Sequence, residues 1–429
     1  MAAGLFTTAA DQLGGPLHVI PIPLAAPMYH AYYGQISNEI LWMLQHRILG
    51  AGGFDAIDAA RHRAWSQGYL QANARLAAEI QRHSGARAFL LQDYHLYPLP
   101  ALLRSAFPST PILHFTHIPF PDPPLMKLLP REWRETILRG LLGADIVGVQ
   151  TRADVEAFVS CCDAFLGCSV HHRDPAVRAE DGRWVSVRPY PASVEPAEIE
   201  HTMRSEAVET ARVRLHDQLG DFNIVRVDRV DPSKNQPLGF QAFGRLLELR
   251  PDLRGRVRFS AFLVPSRTDL QVYRAYKDSI YATVDAINRR FASNDGREPI
   301  SVFYTNDRAQ ALAAMEVCDA LLVNSLQDGM NLVAKEWALV SNRPGALILS
   351  ETAGVSAEAA NAALLISPLD VEGTAAAMGA ALDMTMAERA QRLARFSSVV
   401  RQWTAGDWLS AQLADLGVSS LPVSAGTAG

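Results

Sequence analysis

Nothing in this chain reaches the 18 or more consecutive apolar residues that mark a membrane span. The longest charge-poor run, residues 12–38, is interrupted by Pro16, Pro21, Pro23 and Pro27. The opening MAAGLFTTAADQLGG lacks the basic segment of a secretory signal, so a cytoplasmic location is expected. Excess positive charge is missing too: the formal net charge is −5. Nucleic acid and anionic membranes select basic surfaces, so neither is an expected partner, and any anion site has to be local. Only four cysteines occur, three of them beside two histidines in SCCDAFLGCSVHH (Cys161, Cys162, Cys168, His171, His172). That spacing matches no usual zinc pattern, and small apolar residues on a packed helix explain it better. Lysine is the scarcest charge, with four among 40 basic residues. Two of the four, Lys234 and Lys335, fall in VDRVDPSKN (227–235) and LVNSLQDGMNLVAKE (322–336), the most informative stretches of the chain.

What is present in quantity is βα alternation. Strand-like runs stand at LHVIPI (17), AFLLQD (88), PILHFTHI (111), DIVGVQ (145) and VSVRPY (185), with helical patterns at 55–83, 131–142 and 152–162 between them. A second series follows: NIVRVDRV (223), RVRFSAFLV (256), SVFYT (301), ALLVNS (320), ALILSE (346) and ALLISP (363). This order predicts an α/β fold of two Rossmann-like domains with parallel sheets facing a cleft. The expected divisions are 1–205, 206–385, a last helix over 386–416 packing back on the first domain, and a small, polar, disordered tail over 417–429.

Ligands of parallel sheets bind beyond the carboxyl ends of the strands, where both informative stretches lie. Arg229 ends a strand, and Lys234 follows in a loop that Pro232 keeps out of helix. Together they suit one diphosphate, the first as a planar fork and the second as a point charge. In SLQDGMNLVAKE, Asp328 and Gly329 make the strand-to-helix turn, and the amides after them suit an anion or a polar sugar group. Glu336, two helical turns beyond Asp328, is placed to accept from ribose hydroxyls. Taken singly, Asp328 reads equally well as a helix N-cap and Glu336 as a surface charge. In the first domain Asp93, His95 and His117 follow neighbouring strands, and Tyr33 and Trp42 can wall a sugar site.

In order, YYGQISNEILW, QDYHLYPLPALLR, HFTHIPFPDP, VDRVDPSKN, PSRTDL and LVNSLQDGMNLVAKE resemble the trehalose-6-phosphate synthase family, retaining glycosyltransferases of family 20, over residues 17–415. The resemblance implies the two-domain glycosyltransferase B fold, with the acceptor on the first domain and the nucleotide sugar on the second. It implies Arg229 and Lys234 on the donor diphosphate, and a donor loop of Asn331, Leu332, Val333, Ala334, Lys335 and Glu336, with Glu336 on the ribose. By the same resemblance Asp328 and His117 are expected beside the transferred glucose, and Tyr33, Trp42, Asp93 and Arg267 on the sugar-phosphate acceptor. The implied partners are a nucleoside diphosphate glucose and glucose 6-phosphate, with trehalose 6-phosphate as product. No cofactor or metal is expected, because two cations already face the diphosphate. A homo-oligomer is compatible with the chain.

The pattern departs from the family in places. The usual opening strand ending in arginine, and the Gly-Gly-Leu loop after it, are not found: Gly14 and Gly15 precede Pro16. Gln92, Gln327, Pro232 and Asn235 are smaller departures. Two alternatives follow: a relative acting on other substrates, such as a glucosylglycerol-phosphate synthase or a validoxylamine-phosphate-type pseudo-glycosyltransferase, or an inactive regulatory subunit that binds nucleotide sugar. The base of the donor has no decodable signature.

Overall fold

The computed structural model of the protein describes residues 19–50, 53–83, 85–292 and 296–418. Two six-stranded sheets form its two lobes. The first is ordered β1 (Phe89–Gln92), β2 (Ile112–Phe115), β3 (Ile146–Val149), β6 (Trp184–Pro189), β5 (Ala176–Arg178), β4 (Val170–His171). Its first four are parallel, and β5 and β4 continue the edge antiparallel. The second sheet is wholly parallel, ordered β12 (Leu364–Ile366), β11 (Ala346–Ser350), β10 (Ala320–Val323), β7 (Phe222–Arg229), β8 (Val257–Val264), β9 (Ile300–Tyr304). Strands β2, β3, β10 and β11 are buried at every position, as sheets covered on both faces demand.

Strand order reverses between β7 and β10, so the loops after these two strands diverge around a crevice. Side chains stitch the crevice walls together: Asn235 Nδ2 donates to the Asn324 carbonyl at 3.1 Å, and Asn324 Nδ2 donates to the Asn235 carbonyl at 3.0 Å. This topological switch point is where open α/β sheets take ligands.

The expected strand at LHVIPI is not formed by its described residues 19–22. Pro21 and Pro23 cannot donate to a ladder, and Val19 and Ile20 are about half exposed, at 46% and 50%. Gly14, Gly15, Pro16 and the first two residues of that run lie outside the described residues, as do residues 419–429 of the expected tail. Cys161 and Cys162 are buried in the helix Arg152–Leu166, where Cys161 Sγ donates to the Pro121 carbonyl at 3.3 Å.

Residues 386–416 form two helices rather than one. The chain turns at Trp403, and Thr404 with Asp407 makes a capping box that starts a new helix. Met386–Gln402 packs on the second lobe through Phe396 and Val400. Ala405–Asp415 returns to the first, where Trp408 stands edge-on to Phe115 at 5.1 Å and the Tyr190 hydroxyl donates to Asp415 at 2.6 Å. Val194 and Ile199, upstream of the expected division at 205, already belong to the second lobe's core.

Asp319, at the base of β10, is fully buried and accepts from the Asn223 amide at 2.8 Å and from Arg389 Nη1 at 2.9 Å. Asp319→Ala leaves the buried Arg389 guanidinium without its counter-charge. Unfolding in urea should show a loss of about 3–5 kcal/mol; a loss below about 1 kcal/mol, the size of a surface pair, would contradict this role.

Candidate active site

The carboxyl ends of β1, β2, β7 and β10 converge on an interlobe cleft of about 530 Å³. Its second-lobe wall starts from Arg226, a fully buried residue of β7. Arg226 pairs with Asp228 at 2.7 Å and donates to the Lys234 carbonyl at 2.9 Å, so the strand itself holds the turn that follows. Pro232–Lys234 is one turn of 3₁₀ helix, with Asp231 accepting from the Ser233 amide at 3.0 Å. Pro232 therefore begins a helical turn rather than preventing one, since its fixed φ suits a first position.

Lys234 reaches across the switch point to Asp328. Asp328 also accepts from Asn331 Nδ2 at 3.0 Å and from Ser325 Oγ at 3.2 Å. Burial pushes this carboxyl up, but Lys234 and Asn331 outweigh it and hold it below the usual carboxylate range. Arg229 differs: its guanidinium lies 5.4 Å over the Trp42 ring and has no ion-pair partner among the described residues.

The helix Leu332–Val340 is capped by Asn331, whose side chain accepts from the Ala334 amide at 3.1 Å, and not by Asp328. Leu332, Val333 and Glu336 line the cleft. Ala334 and Lys335 do not: successive residues on a helix turn by about 100°, and these two face the core. Lys335 is fully buried and bonds Glu358 at 2.9 Å and the Ala192 carbonyl at 2.8 Å, tying the helix to the interlobe linker. Glu336 is held by Arg308 Nη2 at 3.2 Å, and Arg308 is itself held by Glu198 at 2.7 Å.

The first-lobe wall carries Tyr33, Trp42, Asp93, His95 and His117. Tyr33 stacks on His95 at 5.4 Å. His117 Nε2 meets Gln92 Oε1 at 2.8 Å, and burial lowers the imidazole to about 4, so it is neutral near pH 7. The Asp93 backbone has φ 75°, its amide donates to the Phe115 carbonyl at 2.7 Å, and its carboxylate accepts from the His117 amide at 3.1 Å. Arg267 lies 4.2 Å over Trp42 and pairs with Asp231 at 2.8 Å. Among the described residues five non-glycines have positive φ; Asp93, Asn235, Arg267 and Asn331 belong to this cleft or its loops, and Arg47 is the other. Such strain of about 1–3 kcal/mol each persists where surroundings fix the backbone.

The lobes touch at Gly329. A Cβ there would lie 2.0 Å from the His117 carbonyl oxygen, so only glycine permits the approach. Sequence reasoning passed over Asp231 and Arg308, and took Gln92 only as a departure from the family pattern. Asp231 sits in VDRVDPSKN, and Asp two residues before a serine amide is a turn signal that was available; Arg308 carries no local signal.

The sequence profile of glycosyltransferase family 20 matches residues 6–417. A trehalose-6-phosphate synthase of Cronobacter sakazakii is 33% identical, covering 90% of this chain and 79% of its own length. A bifunctional trehalose-6-phosphate synthase/phosphatase of Thermoproteus tenax is also 33% identical, but this chain spans about half (52%) of it. Among solved structures, an alpha,alpha-trehalose-phosphate synthase (UDP-forming) from Burkholderia xenovorans in complex with glucose-6-phosphate aligns with a TM-score of 0.83 at 30% identity, over 92% of this chain and 85% of that one.

Burial lifts the Asp93 carboxyl to about 6, against the amides of Tyr94 and His117 and the charges of Arg267 and Arg229, which pull it down. The folded state therefore holds this proton more tightly than the unfolded chain. That stabilisation is complete below about pH 4 and is lost as pH rises through about 6. Across this window the thermal midpoint of Asp93→Asn should fall less with rising pH than that of the parent; equal slopes would show that Asp93 ionises as an ordinary carboxylate.

Proposed function

The chain belongs to glycosyltransferase family 20, and on that premise we propose that it moves glucose from a nucleoside diphosphate glucose, UDP-glucose first among them, to glucose 6-phosphate, forming trehalose 6-phosphate. The observation that carries this is the grouping of Arg229, Lys234 and Glu336 on one wall of a single cleft, opposite Tyr33, Trp42 and Asp93. The Burkholderia neighbour supplies the donor and acceptor classes: it is UDP-forming and binds glucose 6-phosphate. Only the synthase reaction is proposed; the second activity of the bifunctional relative is not.

In this reading Arg229 and Lys234 grip the donor diphosphate, Glu336 takes the ribose hydroxyls, and Asn331, Leu332 and Val333 present the start of their helix to the donor. Asp328 and the neutral His117 face the transferred glucose. Arg267 takes the acceptor phosphate, while Tyr33, Trp42 and Asp93 orient the acceptor ring. Its anomeric hydroxyl attacks donor C1 from the face on which diphosphate departs. The C1–O bond to phosphate breaks, the new glycosidic bond forms, and the hydroxyl proton passes to the leaving oxygen. Configuration is retained without a protein nucleophile. The cations act where charge develops, and a preorganised partner of this kind contributes about 3 kcal/mol or more. Alignment by the acceptor wall provides the near-attack geometry.

Incubation with a panel of nucleoside diphosphate glucoses and phosphorylated acceptors, with products identified by mass, tests the assignment. A hexose disaccharide phosphate and free UDP are expected. A glucosylglycerol phosphate, or uptake of nucleotide sugar with no diphosphate released, would replace it with one of the alternatives. Lys234→Ala should lower kcat by about a hundredfold and change the acceptor KM by less than about threefold; unchanged turnover would remove Lys234 from the mechanism.

A further inference from the structure

Asp231 lies between the two halves of the cleft and lines neither, being fully buried. Its carboxylate is divided between them. Oδ1 accepts from the Ser233 amide at 3.0 Å, inside the turn that carries Lys234, and from Trp42 Nε1 at 3.3 Å. Oδ2 accepts from Arg267 Nη1 at 2.8 Å and from the Tyr273 hydroxyl at 2.9 Å. Arg267 in turn stacks on Trp42 and reaches the Tyr94 hydroxyl at 3.3 Å. Trp42 and Tyr94 belong to the first lobe; Asp231 and Arg267 belong to the second, as does the helix of Tyr273, whose ring is buried in the first lobe's core. The set is complete only while the lobes are closed on each other. Burial alone would push the Asp231 carboxyl up, but Arg267 and Arg229 hold it below the usual carboxylate range, so it stays ionised.

We propose that Asp231 is a positioning residue that couples the two substrate subsites, so that nucleotide and sugar phosphate each bind more tightly when the other is present. The inference rests on the donor and acceptor assignment made above. A sugar phosphate held by Arg267 and Trp42 favours the closed arrangement of the lobes. The shared carboxylate then also fixes the turn that presents Lys234, and the nucleotide finds its grip already ordered. A ligand shifts such an equilibrium only by its differential affinity for the two arrangements. Asp231 is the group through which each ligand's preference for closure reaches the other. Linkage makes the effect reciprocal.

Calorimetric titration of UDP into the protein, with and without saturating glucose 6-phosphate, reads the coupling directly. The parent should bind UDP about tenfold tighter in the presence of the sugar phosphate, within the usual range for coupled sites. The reverse titration should give the same factor. In Asp231→Asn each ligand alone still binds, and the factor should fall below about twofold. A merely structural role would weaken both ligands and leave their ratio intact, so a ratio preserved in Asp231→Asn overturns the proposal. Tyr273→Phe removes one donor to Oδ2 while keeping the ring; it should give an intermediate factor, and it decides the matter if Asp231→Asn does not fold. A parent that binds both ligands with no coupling overturns this inference alone. A parent that binds neither overturns the substrate assignment and this inference with it.

Discussion

Three cations held in one cleft of an acidic protein set the terms for everything else in the structure. Arg229, Lys234 and Arg267 would repel one another, and full neutralisation by carboxylates would leave nothing to attract an anion. The three are treated differently. Arg267 is paired with the buried Asp231, Lys234 with Asp328, and Arg229 lies over the Trp42 ring with no carboxylate partner among the described residues. Like charges are spaced by interposed carboxylates and an aromatic face, at a cost in desolvation that the surrounding hydrogen bonds offset. Among the described residues the cleft keeps one guanidinium without an ion-pair partner and one lysine whose partner lies on the neighbouring loop, a charge distribution that suits an anion.

The scaffold follows from that requirement. Parallel strands end together, so residues distant in sequence meet without long side-chain reach: Gln92 ends β1 and Asp93 follows it, His117 follows β2, Lys234 follows β7 and Asp328 follows β10. The reversal of strand order between β7 and β10 opens the crevice, and Arg226 and Asn235 fix the loop at its edge. Closure against the first lobe depends on a backbone contact that only Gly329 allows. Positive φ values at Asp93, Asn235, Arg267 and Asn331 show loops whose backbone is held in place by its surroundings.

Much of this was legible in the residues. The βα alternation indicated two parallel-dominated sheets, and the rare lysine at 234 marked a loop that lines the cleft. What could not be read were facts of orientation. Ala334 and Lys335 share a helix with Glu336 but face the core, because helical rotation depends on a start that Asn331 sets with a left-handed backbone and not Asp328. Lys335 shows that a scarce residue type can be structural. LHVIPI has the hydropathy of a strand, yet Pro21 within it and Pro23 just beyond keep the described part out of a ladder. The break at Trp403 was overlooked although Thr404 and Asp407 form a capping box that starts the second helix; tertiary contacts send the two halves to different lobes. Asp231 was in view but passed over, since its partners Trp42, Arg267 and Tyr273 are gathered only by the fold.

In the proposed function one interlobe cleft holds a departing diphosphate between Arg229 and Lys234 while Arg267 holds the acceptor phosphate beside it. A crystal structure of the protein with UDP and glucose 6-phosphate both bound tests it most directly. Diphosphate oxygens are expected within hydrogen-bonding distance of Arg229 and Lys234, ribose hydroxyls on Glu336, and the sugar phosphate on Arg267. A diphosphate bound away from both cations, or a sugar phosphate on the other side of the lobe junction, would contradict it.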